Sequence, residues 1–189
     1  VSSPTLTFIA EANGSGKTTL TRWNSELFRE IPVLDPDTIG KTLQSSTSAA
    51  FPIAGARQVL ESAAEHLRAR NSFAVETPLS GKNYLFMLLE ARRLGFEIVL
   101  VYIGAENVEI NLARIRNRVL AGGHDVPPTD VRRRHLRSLK NLPTAIKRAD
   151  HTILFDNSTE EGYRLVAILS PLERQWLSEP PNWASALTA

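Results

Sequence analysis

The segment Asn13-Gly14-Ser15-Gly16-Lys17-Thr18-Thr19 has the composition of a phosphate cradle. Gly14 and Gly16 permit the positive-φ, close-approach backbone that turns successive N–H groups toward an anion, and a helix starting near Lys17 adds its partial positive N-terminus. Lys17 is placed to reach the β- and γ-phosphates of a nucleotide. The Thr18 hydroxyl is placed to ligate Mg²⁺, because magnesium takes a few protein oxygens together with phosphate oxygens and water. ATP or GTP is the ligand implied. The full P-loop pattern has a glycine where this chain has Glu11, and that glycine serves the tight exit from the strand. A carboxylate there either leans toward the nucleotide and raises the cost of binding, or points outward without effect. Phosphate binding is expected to be weakened rather than abolished.

Two further acidic positions follow strand-like runs: Asp35-Pro36-Asp37 and Glu76. In doubly wound sheets the carboxyl ends of strands face the ligand crevice. Phosphoryl transfer needs a carboxylate within reach of the acceptor hydroxyl and another acid or water network to hold magnesium. Asp37 is the candidate base. Glu76 is the candidate for holding substrate or metal-bound water, since a structural carboxylate would be poorly compensated at a buried strand end. The alternative for Asp35-Pro36-Asp37 is a helix cap, with Asp37 or Thr38 capping Ile39 onward. Arg114 and Arg118 share one helical face and can clamp a phosphate. Arg132, Arg133, Arg134 and Arg137 follow on the next helix, some as arginine fingers across the crevice. The competing reading is a solvated basic face, or ion pairs with Glu90, Glu97 and Glu109. His124 reads as a hinge or hydrogen-bonding residue, and Asp156-Asn157-Ser158 as a nucleobase contact or a cap. The four histidines lack metal-ligand spacing, and no Ser-His-Asp arrangement is suggested.

Strand-like runs alternating with helical patterns must position these residues, which predicts an α/β fold with a mostly parallel sheet and helices on both faces. The predicted strands are Thr5–Ala10, Ile31–Asp35, Ser72–Glu76, Glu97–Ile103 and His151–Phe155. The predicted helices are Thr18–Arg29, Ala54–Arg70, Lys82–Leu94, Glu106–Leu120 and Pro128–Arg148, the last interrupted or bent at Pro143. Gly122-Gly123-His124-Asp125 would hinge a lid. Tyr163–Leu169 reads as a strand or short helix, and the stretch from Pro171 as a tail laid across the body. The 189 residues suit one domain, with 106–150 as an arginine-rich, lid-like region and 171–189 as the tail. Net charge is only +2, but the basic residues between Arg114 and Arg148 are crowded, which suits polyanions. Cysteine is absent, so disulfides and thiolate metal sites are excluded. No apolar run approaches bilayer length, and a cytoplasmic enzyme is the simplest expectation.

Taken in order, residues 12–19, Asp35-Pro36-Asp37, Glu76-Thr77-Pro78-Leu79-Ser80-Gly81, Gly122 to Pro127, and Arg132 to Arg134 followed by Ser138 to Pro143 resemble the zeta toxin family. Specifically, the chain is similar to its short, chromosomal branch of P-loop kinases. The resemblance implies a three-layer P-loop kinase fold and ATP- and Mg²⁺-dependent phosphorylation of a small-molecule hydroxyl, in the toxins that of UDP-N-acetylglucosamine. It further implies that Lys17 binds phosphate, Thr18 ligates magnesium and Asp37 takes the acceptor's proton. Glu76, with Thr77 beside it, would hold substrate, and Arg118 with Arg132 or Arg134 would neutralise charge. An antitoxin is the protein partner implied; nucleic acid is not expected for the kinase. The alternative is a catalytically weakened nucleotide-binding module acting through an antitoxin or through nucleic acid on the arginine-rich helices.

Overall fold

The computed structural model describes residues 3–16, 31–36, 38–39, 51–123 and 125–188, with 51–54 described by backbone alone. Lys17, Thr18, Thr19, Asp37 and His124, and the predicted helix Thr18–Arg29, lie outside the described residues.

One seven-stranded sheet organises the chain, in the order β2-β3-β1-β4-β5-β6-β7. Its strands are β1 (Thr5–Glu11), β2 (Val33–Leu34), β3 (Phe73–Thr77), β4 (Glu97–Gly104), β5 (His151–Asp156), β6 (Arg164–Leu169) and β7 (Arg174–Trp176). The first five are parallel, whereas β6 and β7 are antiparallel additions at one edge. The helices are α1 (Phe51–Ala69), α2 (Lys82–Arg93), α3 (Val108–Leu120) and α4 (Pro128–Arg148), followed by a short 3-10 turn, Asn182–Leu187. Of the stretch 163–169, residues 164–169 resolve as strand, and the tail contributes a further strand instead of only lying across the body.

Strand alternation divides the core. Leu6, Phe8 and Ala10 join Phe73, Val75, Leu100, Leu142 and Ala145 in the larger cluster, whereas Ile9, Ala74, Val101 and Ile103 belong to a second. A third, small cluster of Leu112, Ile115, Val126 and Val131 fastens α3 to α4. Helix α3 starts at Val108 because Asn107 caps it, its Oδ1 accepting from Glu109 N at 3.0 Å and Ile110 N at 3.3 Å.

Of the expected interruption or bend at Pro143, the interruption does not occur; the helix runs 21 residues through it. An interior proline costs roughly 3 kcal/mol. Leu142 and Ala145, both buried in the main cluster, anchor the chain on either side, and their burial offsets that cost. Gly122 and Gly123 close α3, donating to Val119 O at 2.9 Å and Arg118 O at 2.8 Å.

Candidate functional site

Strand β1 lies between β3 and β4, so the chain leaving its carboxyl end enters the crevice where connections diverge to opposite sides. Residues 12–16 form a tight loop there, with Ser15 N donating to Ala12 O at 3.1 Å. Gly14 (φ 91°) and Gly16 (φ 121°) adopt the left-handed backbone expected of them. Glu11 points neither to solvent nor into the neighbouring cavity: it is 5 % exposed and does not line that cavity. Its charge is felt by the Tyr102 phenol, whose pKa burial pushes well above the ordinary tyrosine value. A hydrogen bond with Ser138 Oγ, at 3.0 Å, opposes the shift, and the Glu11 carboxylate adds to it.

Beside the loop opens a cavity of about 340 Å³. Asn13 stands at its edge; Asp35 and Glu76 supply carboxylates; Arg133, Arg134 and Arg137 supply guanidinium groups; Leu60 and Tyr84 supply apolar surface. Acid comes from the ends of β2 and β3, and base from the first turns of α4. Arg134 bridges to the loop, donating to Asn13 Oδ1 at 3.4 Å, with Asp130 Oδ2 at 4.0 Å on its other side. Thr77 lines the cavity too, and its Oγ1 accepts from Leu79 N at 2.9 Å, a bond that leaves its own O–H as a donor. Leu79 holds φ 52°, which costs a non-glycine residue on the order of 1 kcal/mol, and Asn141 Nδ2 secures its carbonyl at 2.8 Å. The Glu76–Gly81 turn is thus a fixed wall.

Sequence reasoning and structure part at several positions. Asp35 does the capping assigned in the alternative reading to Asp37 or Thr38: its Oδ2 accepts from Thr38 N at 3.2 Å and Thr38 Oγ1 at 2.6 Å. Arg132 turns to Glu109 at 2.6 Å and does not line the cavity, and neither does Arg118, exposed on the last turn of α3. Arg114 instead donates to the carbonyls of Asn157 at 2.7 Å and Thr159 at 3.3 Å and does not line the cavity. Arg148 also serves the backbone, donating to Leu85 O at 2.5 Å. Asp156 accepts from Trp183 Nε1 at 2.9 Å and Ser158 Oγ at 2.6 Å, so it fixes the tail.

Two contributors escaped the sequence: Asn111 and Tyr163. Asn111 Nδ2 donates to Ala12 O, Asn13 O and Ser15 Oγ at 3.3, 2.9 and 2.8 Å; Tyr163 OH donates to Gly16 O at 2.6 Å. Asn111 left a signal, since it shares the face of α3 that carries Val108, Leu112 and Ile115. An amide on an apolar face must find partners. Tyr163 left none. No cluster of three His, Cys, Asp or Glu side chains suited to a metal occurs among the described residues. Magnesium that leans on phosphate oxygens and water needs no such cluster.

Known proteins with this architecture include the AvrRxo1-ORF1:-ORF2 complex with ATP, which matches with a TM-score of 0.70 and 20% identity over 92% of this chain and 60% of that one. The PezAT chromosomal toxin-antitoxin system of Streptococcus pneumoniae matches with a TM-score of 0.64 and 15% identity, over 97% and 76%. No protein-family model matches the chain. The fold is the zeta-toxin-like P-loop kinase fold. The chain belongs to the same family as an uncharacterized protein of Haemophilus influenzae, 33% identical over 128 residues that make up 68% of this chain and 90% of that protein.

Proposed function

We propose that this protein is an ATP-dependent kinase that transfers a γ-phosphoryl group to a hydroxyl of a small molecule. The zeta toxin resemblance suggests a sugar nucleotide such as UDP-N-acetylglucosamine as acceptor. One observation carries the reading: the glycine loop at the end of β1 borders a cavity with carboxylates on one wall and guanidinium groups on the other. A phosphate-binding loop alone would suit any nucleotide-binding protein. A cavity against it, with Arg134 touching both, suits transfer.

In this reading the amides of residues 13–16 and the Lys17 ammonium hold the triphosphate. Asp37 takes the proton of the acceptor hydroxyl as it attacks, and Glu76 and Thr77 orient the acceptor. Arg134, with Arg118 or Arg132 brought in by rearrangement, stabilises charge spreading over the transferred group. Thr18, by its residue type and its place after Lys17, would hold Mg²⁺, which when bound neutralises phosphate charge. Residues 1–189 act as one kinase domain, with the arginine-bearing 106–150 region as its lid. The cytoplasm is its compartment. A protein partner of antitoxin type is supported by the likeness to the PezAT toxin-antitoxin system.

The test is to incubate the protein with Mg-ATP and a panel of sugar nucleotides and to follow the phosphorylated product by mass. Product should form, and Asp37→Asn should lower kcat by about 10²- to 10⁴-fold, the usual range for loss of a general base. Undiminished turnover in that variant would remove Asp37 from its role. Binding of ATP with no transfer to any acceptor would favour the alternative module that works through a partner.

A further inference from the structure

Four carbonyls on the back of the glycine loop accept from side chains that lie outside it. Asn111 on α3 serves Ala12 and Asn13; Asn157, just after β5, donates through Nδ2 to Ser15 O at 2.6 Å; Tyr163, just before β6, serves Gly16. None of the three lines the cavity. We propose that Asn111, Asn157 and Tyr163 are positioning residues that hold the loop in its phosphate-binding shape before nucleotide arrives. The proposal rests on reading this loop as a phosphate site.

The physical link is the planar trans peptide, in which N–H and C=O point in opposite directions. Fixing the carbonyls of Ala12, Asn13 and Ser15 on the back fixes the amides of Asn13, Gly14 and Gly16 toward the front. A loop ordered in advance loses less conformational freedom when an anion docks, and that saving appears as affinity. The braces are themselves held. Asn111 is wholly buried; Asn157 donates its own N–H to Gly104 O at 2.9 Å and receives Arg114 at its carbonyl. They also explain the glycines from behind. A Cβ on Gly16 would stand 2.6 Å from Tyr163 Oη and 2.7 Å from Asn157 Nδ2, and one on Gly14 would stand 2.7 Å from Asn111 O. A side chain at either position would push the loop off its supports, quite apart from its φ.

Titration calorimetry of the full chain with magnesium pyrophosphate and with Mg-ATP tests this, alongside urea unfolding of each variant. Tyr163→Phe removes one hydroxyl and leaves the ring. Asn111→Leu keeps roughly the volume and removes the donor without placing a charge beside the phosphates. Each should weaken pyrophosphate and ATP alike, by about 3- to 10-fold per lost hydrogen bond. Tyr163→Phe, the milder change, decides the matter if the Asn111 variant does not fold. A lower urea midpoint with affinity per folded molecule unchanged would reduce the braces to ordinary structure and overturn the proposal. Wild-type protein that binds neither ligand would overturn the phosphate reading itself, and the bracing role with it.

Discussion

His135 shows what a single side chain can reveal when burial and chemistry disagree. It sits on the buried face of α4, is 8 % exposed, and its Nδ1 finds no hydrogen-bond partner among the described residues. Burial lowers its pKa from 6.5, so the folded protein resists the proton that the unfolded chain accepts. The unfolded state then binds more protons, and stability falls with pH below about 6.5 until the folded pKa is reached. Urea unfolding of wild type and His135→Gln should run parallel above about pH 7.5 and diverge on acidification, with wild type losing more. Parallel curves down to pH 5 would show that the imidazole is not held neutral. At this scale the sequence spoke unevenly. Gly14 and Gly16 announced their backbone, because few other residues allow it. The destination of each arginine could not be read, since a guanidinium suits phosphate, carboxylate and peptide carbonyl equally well and only the fold says which is near.

Elements were more legible than their junctions. The five parallel strands and α1 to α4 follow from apolar runs and helical periodicity, with ends shifted by a few residues. The tail was misjudged because β7 has only three residues and Trp183 acts through tertiary contact. Its ring covers the end of β4 so closely that a Cβ on Gly104 would come within 2.2 Å of Trp183 Cε2. Its indole donates to Asp156, which Arg164 also approaches at 3.3 Å. The 3-10 turn is therefore latched to the end of β5, next to Asn157 and hence to the glycine loop. Trp183→Phe keeps most of the packing and deletes a hydrogen bond to a carboxylate, so unfolding free energy in urea should drop by about 1.5–3 kcal/mol. A change below about 0.5 kcal/mol, the usual range for inconsequential surface changes, would mean the latch does not hold.

Across the whole molecule, function follows from which strand ends the sheet order brings together. Order 2-3-1-4-5 sets the loop after β1 beside the acidic end of β3, and α4 returns over that edge with its arginines on the cavity and its far half in the core. No helix among the described residues is long and apolar enough to cross a membrane. The class of fold was readable because glycines, carboxylates and basic helices recur in an order that P-loop kinases share. The cavity was not, because it is assembled from the ends of β2 and β3 with α1, α2 and α4, which no local pattern joins. The kinase reading stands or falls on whether the backbone at Asn13 to Gly16 holds a triphosphate with its terminal phosphate facing this cavity. A crystal structure of the full chain with Mg²⁺ and a non-hydrolysable ATP analogue decides it. Phosphate oxygens should lie on the amides of that loop, with the γ-phosphate toward Glu76 and Arg134; a nucleotide bound elsewhere, or a loop closed against it by Glu11, would refute the kinase site.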